Sequence, residues 1–427
     1  MPDPRPSPHR AVLLRGDALR AHQLERLNSL LVRVSNENRF YGEKLADCHL
    51  PLERLERIEQ LPFTTKEELL GNRHEASHAA NLTYPEEAYV HYHRTSGTRG
   101  RPMVVMDTAE DWQWWTDCWQ YVLDAAEIDA TDRALLAFSF GPFIGFWSAC
   151  DALVARSTQV IPGGGMGTLS RLELLETSRA TALFCTPTYA LHMAEVAGDH
   201  NMNLVGLPVR RIVVAGEPGG SVPTTRRRIE EAWGAKVIDH SGATEVGPWG
   251  CGDPDGHGLH VIETQFIAEF LSVETGKPAM QGELSHLILT PLGRYGSPVI
   301  RYRTGDLVRP SWERSTRMPF VLLEGGVLGR TDDMIIVRGV NVFPSSVEQI
   351  LHGFPEVVEY RLIAQRAGAL DRLVVEVEDR MEAPGRIAEE LRLRLGLKVD
   401  VRGVPLGTLP RFEAKAKRFV DQRHHPA

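Results

Sequence analysis

The feature that most constrains the fold of this chain is an alternation that begins at Ala134. Short apolar, β-rich runs (ALLAFSF, TQVIP, TALFCTP, RIVVAGE, AKVIDHSG) are separated by longer amphipathic stretches such as SRLELLETSRA and TTRRRIEEAW. A strand that is apolar on both faces must be covered on both faces, and a helix between consecutive strands does this. The spacing therefore predicts βα units around a mostly parallel sheet. After Gly258 the pattern changes to strands alone: HVIETQFIAEFLSV, GELSHLILT and VIRYRTG. Ahead of the alternation, Gly16 to about Leu45 has apolar positions at helical spacing and predicts an amphipathic helical start.

The chain has 427 residues, too many for one ordinary domain. A second change of texture at Gly329 to Val340 opens a β-α-β-β-α-β-like tail: DMIIVRG, SSVEQILHGF, EYRLIAQRA, RLVVEVEDR, RIAEELRLRLG and KVDVRG. The expected fold class is α/β. A large N-terminal domain of mixed and parallel sheets with helices spans 1–331, and a small, mobile α+β domain spans 332–427. The net charge of -8 gives no basic field for nucleic acid. No stretch approaches the roughly 18 apolar residues that cross a bilayer. The five cysteines (Cys48, Cys118, Cys150, Cys185, Cys251) are scattered and form no C-x-x-C pair, which points to free thiols in a reducing compartment. The expectation is a cytoplasmic protein without nucleic-acid or membrane partners.

Gly329-Arg330-Thr331-Asp332-Asp333, with Arg338 to Pro344, sits at the second texture change, where a domain boundary is a natural hinge. Five further segments carry chemistry. Thr95-Ser96-Gly97-Thr98-Arg99-Gly100-Arg101-Pro102 follows the extended run AYVHYHR. Its glycines let backbone N–H groups approach a polyanion and its hydroxyls add donors. It lacks the Walker pattern, and a phosphate cradle and a plain hairpin loop stand as equal readings. Ala215-Gly216-Glu217 ends a strand, where open α/β sheets bind ligands, or is an ordinary βα turn. His240-Ser241-Gly242-Ala243-Thr244-Glu245 also follows a strand. Glu245 is a hard oxygen ligand suited to Mg²⁺ held with phosphates. A helix-capping box over Ser241 to Glu245 is the alternative, opposed by the GPWG that follows. Thr304-Gly305-Asp306 interrupts a strand and offers a carboxylate for ribose hydroxyls, or a hairpin turn. The basic run Leu409 to Arg418, which contains Lys415 and Lys417, reads by itself as a solvated face.

Taken in order, these motifs resemble the adenylate-forming superfamily of acyl-CoA synthetases, luciferases and peptide-synthetase adenylation domains. IPGGG (161–165), FCTPTYALHMAEVA (184–197), GLHVIETQF (258–266) and DDMIIVRGVNVFPSSVE (332–348) are most similar to the phenylacetate–CoA ligase family. The resemblance covers nearly the whole chain. It implies that a carboxylate attacks the α-phosphate of ATP, giving acyl-AMP and pyrophosphate, and that coenzyme A then displaces AMP. It implies that Thr95, Ser96, Gly97, Thr98 and Gly100 cradle the β- and γ-phosphates. Glu245 holds Mg²⁺ and Thr244 meets the α-phosphate. Ala215, Gly216 and Glu217 lie along the adenine, and Asp306 with Arg330 binds the ribose. Lys415 aligns with the catalytic lysine of adenylation, with Lys417 out of register. Asp332 aligns with the hinge, and Arg338 and Gly339 line the thiol's path. The acid pocket falls among Phe138, Phe140, Phe143, Pro187, Tyr189, Ala215, Gly216 and Gly242, and the aromatic run FSFGPFIGFW suits a small aromatic acid.

Three departures stand out. Ser241 occupies a position that is usually aromatic and stacks on adenine, which passes that contact to His240. Ala414 replaces the usual glycine before Lys415. Cys251, His257 and His260 have no cysteine between Val308 and Gly329 to complete a tetrahedral set, so no zinc is expected. An amine or a carrier-protein thiol as acceptor, and an inactive relative acting as a binding protein, are the competing readings. The sequence leaves monomer and homodimer open.

Overall fold

The computed structural model describes residues 13–71, 78–95, 102–139, 141–313, 318–331, 335–337, 340–367, 370–411 and 418–423. A nine-stranded sheet lies at its centre. Strands Arg133–Leu136, Gln159–Pro162, Ala182–Cys185, Arg211–Ala215 and Lys236–Ala243 pair in parallel. Helices Trp147–Ala155, Thr168–Ser178, Pro187–Asp199 and Pro223–Trp233 connect them. Side chains alternate across a strand, so each strand feeds two cores. Leu136, Phe184, Val213 and Ile238 enter one core with Trp112, Trp115, Trp119 and Ala149. Leu135, Leu183, Val214 and Val237 enter the other with Leu172, Met193, Ile229 and Trp233.

The parallel order ends at Ala243. The segment to Gly247 is too short for a crossover helix, so the next strand, Gly247–Gly252, returns antiparallel. Gly247 has φ 116°, and a Cβ there would stand 2.8 Å from the Trp114 ring. Gly258–Val261, Leu322–Glu324 and Pro310–Ser311 continue the antiparallel half. A second sheet of four antiparallel strands contains Phe266–Ser272, Ser285–Pro291, Tyr302–Val308 and Gly329–Arg330. A separate hairpin pairs Tyr89–Arg94 with Val104–Thr108.

The helical start forms as Gly16–Glu37, which buries Leu27, Leu30, Leu31 and Val34 along one face. It stops at Asn38, whose side chain accepts from Tyr41 N and caps a second helix, Arg39–Lys44. No helix among the described residues is long and apolar enough to cross a membrane.

From Ile335 the chain builds a separate α+β unit. Helices Pro344–Leu351 and Pro384–Leu395 accompany a sheet ordered Asp400–Gly403, Leu370–Asp379, Val357–Ala367, Phe419–Asp421. Its core includes Val347, Leu351, Leu362, Val375, Ile387 and Leu391. Two strands go beyond the sequence pattern: Val340–Val342, which pairs with Ile335–Val337, and the edge strand Phe419–Asp421.

Candidate active site

The run of small polar residues follows strand Tyr89–Arg94 and precedes its antiparallel partner Val104–Thr108. Its ends are clipped together. Thr95 N donates to Met103 O at 2.9 Å, and Met103 N donates to Thr95 Oγ1 at 3.0 Å. Ser96, Gly97, Thr98 and Gly100 lie outside the described residues, as do Phe140, Asp332, Arg338, Gly339 and Lys415.

The neighbouring strands Arg211–Ala215 and Lys236–Ala243 end together, with Ala215 opposite His240. Gly216 turns the chain with φ 93°, in the left-handed region that favours glycine. The Glu217 carboxylate accepts from Thr188 N at 2.9 Å and from the Thr188 hydroxyl, tying this turn to the start of helix Pro187–Asp199. His240 is buried with its ring centroid 4.1 Å from that of Trp119. Its Nδ1 bonds Gly250 O at 2.8 Å. A carbonyl only accepts, so Nδ1 holds the proton and Nε2 is an acceptor. Burial lowers this imidazole's pKa to about 4 and keeps it neutral. Ser241 is half-buried opposite Gly250. The segment Ala243–Gly247 is a hairpin turn and not a capped helix.

That turn presents Thr244 and Glu245 near a second group of residues. Thr64 N donates to Arg301 O at 3.1 Å and Arg303 N to Thr64 O at 2.9 Å, which clips the run before helix Lys66–Leu70 beside strand Tyr302–Val308. Thr65 and Glu68 form a capping box at the helix start. Lys66 is thereby delivered to Glu245, with Nζ 3.0 Å from Oε1. From the paired strand Gly329–Arg330, Arg330 Nη1 donates to Asp306 Oδ1 at 2.8 Å and Arg330 Nη2 to Thr304 O at 3.1 Å. Gly305, with φ 80°, makes the kink that orients Asp306. Tyr302 lies within reach of the Glu245, Asp306 and Arg330 charges. Burial raises its phenol pKa, the Glu245 and Asp306 charges raise it further, and Arg330 opposes them. The structure thus gathers Glu245, Asp306 and Arg330 into one neighbourhood, and adds Lys66 and the buried Arg294, neither of which the motifs had indicated. The Thr65–Glu68 capping box was a visible signal for where a helix starts at Lys66.

Of the expected acid pocket, Phe138 is half-buried with its ring 5.2 Å from that of Phe146, Phe143 is exposed, and Gly242 is open at the strand end. Pro187 is buried under Gly219, where a Cβ would stand 2.5 Å from it. Tyr189 requires a correction. It is fully buried in the helix-side core, and its hydroxyl is taken up by Arg171 Nη1 at 2.6 Å and Thr168 at 3.2 Å, so its ring packs the scaffold. Helix Pro187–Asp199 turns position 189 inward towards Leu172 and Met193.

Cys251 is buried with Sγ 3.7 Å from His260 O. His260 and His257 are both engaged by Asp253, through Oδ2 and Oδ1, each at 3.1 Å. Among the described residues no group of three or more His, Cys, Asp or Glu side chains could hold a metal ion.

Comparison with known proteins gives a consistent result. Residues 7–266 match the AMP-binding enzyme family and residues 339–423 match the AMP-binding enzyme C-terminal domain. The phenylacetate–coenzyme A ligase of Escherichia coli strain K12 is 31% identical over 96% of this chain and 96% of its own length. That of Thermus thermophilus is 30% identical over 95% of this chain and 97% of its own. Among solved structures, 2-hydroxyisobutyryl-CoA ligase in its postadenylation state superposes with a TM-score of 0.86 at 25% identity, covering 94% of this chain and 89% of that one. The same ligase in its thioesterification state, with an acyl-AMP and CoA, gives 0.70 at 26% identity, covering 95% and 90%.

Proposed function

The chain belongs to the AMP-binding enzyme family as an AMP-forming acid–CoA ligase, and on that footing we propose that it activates a small aromatic acid with the residues gathered around Tyr302. The observation that carries this reading is that Lys66 meets Glu245 at 3.0 Å and Arg330 meets Asp306 at 2.8 Å, on segments that Thr64 clips together, with Glu245 just past the end of the parallel strand Lys236–Ala243. The chemistry needs little covalent help. It needs an acid and an α-phosphate held in line, with charge stabilised at phosphorus.

The Glu245 carboxylate already accepts one cation, the Lys66 ammonium at 3.0 Å, and a single carboxylate fits Mg²⁺ that nucleotide phosphates also hold. When bound, the ion supplies charge neutralisation at those phosphates. Asp306, steadied by Arg330, accepts the ribose hydroxyls. Thr244 donates to the α-phosphate, and the run Thr95 to Gly100 wraps the outer phosphates. Phe138 and Phe143 lie against the acid, with Gly242 leaving room beside them. Lys415 stabilises the adenylation transition state. The boundary falls at 331/332, with Asp332 as the hinge that lets the small domain withdraw. The closer match to the postadenylation form of the neighbouring ligase supports a docked arrangement of the two units. The scattered free thiols support a cytoplasmic setting.

The test is an acid-dependent pyrophosphate-exchange screen over aromatic acids, followed by CoA-dependent AMP release. Exchange with an aromatic acid and release on adding CoA are expected. Release that ignores CoA and responds to an amine would overturn the acceptor. Lys415→Ala is expected to abolish exchange while sparing thioester formation from a preformed adenylate, with Lys417→Ala as the control. Equal loss in both half-reactions would remove the role given to Lys415.

A further inference from the structure

We propose that Arg294 is a positioning residue for ATP activation: it fixes the backbone of Thr244 and Glu245 so that both side chains face the nucleotide. This rests on the reading of those two residues given above. Arg294 is fully buried on the segment between strands Ser285–Pro291 and Tyr302–Val308. Its Nη1 donates to Thr244 O at 3.0 Å and to Glu245 O at 2.8 Å. Two successive carbonyls aimed at one nitrogen fix both peptide planes of the turn, and so the direction in which each side chain leaves it.

The other edge of the guanidinium faces Asp107, to which it is hydrogen-bonded through Nε alone. Nε donates to Asp107 Oδ1 at 2.8 Å, and Nη2 lies 2.7 Å from the same oxygen. Trp115 Nε1 also donates to that oxygen at 3.1 Å, and the Trp115 ring centroid is 5.3 Å from the guanidinium carbon. The backbone around Arg294 is held equally firmly. Tyr295 N and Gly296 N donate to Asp111 Oδ1 at 2.7 and 3.0 Å. A Cβ on Gly293 would lie 2.1 Å from Trp114, and one on Gly296 would lie 2.3 Å from Asp111.

Burying a guanidinium and a carboxylate costs desolvation, and a well-packed apolar pair often serves stability as well or better. What an apolar pair cannot do is hold two adjacent carbonyls. A planar fork does so with one edge while its other edge stays on Asp107. A lysine at this position keeps the charge and loses the fork.

The experiment compares Arg294→Lys with the parent enzyme. It measures thermal unfolding, calorimetric binding of MgATP without acid, acid-dependent pyrophosphate exchange across a Mg²⁺ titration, and thioester formation from a preformed adenylate. The expected result is a loss of about 100-fold in exchange at saturating ATP, the scale of a reacting group displaced by about an ångström. MgATP binding weakens, the Mg²⁺ requirement rises, and the step from preformed adenylate stays within about threefold. A lowered melting temperature with parental exchange, MgATP binding and Mg²⁺ dependence would overturn the proposal, because Arg294 would then serve the fold alone. Where Arg294→Lys yields no folded protein, Asp107→Asn decides by the same readouts, with a smaller loss in the same direction expected. Glu245→Gln separates the two layers: if it leaves exchange and Mg²⁺ dependence unchanged, the reading of the site fails, whatever Arg294 does.

Discussion

Single residues set the charge state of this site. Lys66 is bonded to Glu245 and remains about a third exposed, so the pair contributes under about 1 kcal/mol to stability. Its larger effect falls on ligand binding. On the role proposed for Glu245, an ion held there would leave the ammonium beside the nucleotide's phosphates, where a charge-assisted contact is worth about 1.5–3 kcal/mol. Lys66→Ala is therefore expected to raise KM for ATP about tenfold with little change in melting temperature. A lowered melting temperature at parental KM would reduce Lys66 to a structural partner. His240 makes a pH-dependent contribution. Its folded pKa of about 4 lies below the usual 6.5 because it is buried neutral. Between those values the unfolded chain binds the extra proton, so this histidine's share of stability is full above about pH 6.5 and is lost as pH falls towards 4. Whatever its absolute stability, His240→Phe is expected to flatten the dependence of unfolding free energy on pH across that window, by up to about 1.4 kcal/mol per pH unit. Urea unfolding at several pH values measures it, and parallel curves for parent and variant would refute it.

At the level of strands and helices, the antiparallel half of the large sheet depends on close backbone approach. Gly258 has φ 156°, and a Cβ there would lie 2.0 Å from Leu323 O, inside the pairing of Gly258–Val261 with Leu322–Glu324. Gly258→Ala must part these strands, and a loss of about 3 kcal/mol is expected, at the upper end of overpacking costs. An unchanged urea midpoint would show that the strands do not pair this closely. The βα alternation was legible because burial on both faces writes itself into consecutive residues such as Leu135–Leu136 and Val213–Val214. The antiparallel return was less so. Leu322–Glu324 reaches the sheet from some sixty residues beyond its partner Gly258–Val261, and local pattern does not encode such pairing. The site followed the same rule. Residues within one motif, such as Thr244 and Glu245 or Thr304 to Asp306, could be read from the sequence. Lys66 and Arg294 could not, because Thr64 between Arg301 and Arg303, and Asp111 under Gly296, bring them in from distant segments. Tyr189 was misplaced because its motif fixes a helix start but not which face of the helix turns inward.

At the scale of the whole molecule, the two units meet where helix Pro223–Trp233 faces the end of helix Pro344–Leu351. Thr225 Oγ1 lies 2.8 Å from His352 Nδ1, and His352 Nε2 lies 3.0 Å from the Tyr360 hydroxyl. Burial, with Arg418 and Arg228 nearby, lowers the His352 pKa to about 3, so the ring is neutral and donates through one nitrogen only. Arg418 lies 4.8 Å over the Tyr360 ring and bonds Glu359 at 2.5 Å, which holds the small unit's side of the contact rigid. A cavity of about 50 Å³ beside it, lined by Thr188, Glu195, Arg228 and Arg411, leaves the surface incompletely packed. A contact of this kind holds two bodies together without committing them, which suits the proposed withdrawal of the small domain between the two steps. Thr225→Val keeps the shape and removes the hydroxyl. With a hydrogen bond worth about 1 kcal/mol, the docked population is expected to fall about fivefold relative to the withdrawn one. Pyrophosphate exchange then slows by up to that factor, while thioester formation from preformed adenylate is unchanged or faster. Slowing of both half-reactions together would mean that Thr225 supports the fold of its helix and has no part in the balance between docked and withdrawn states.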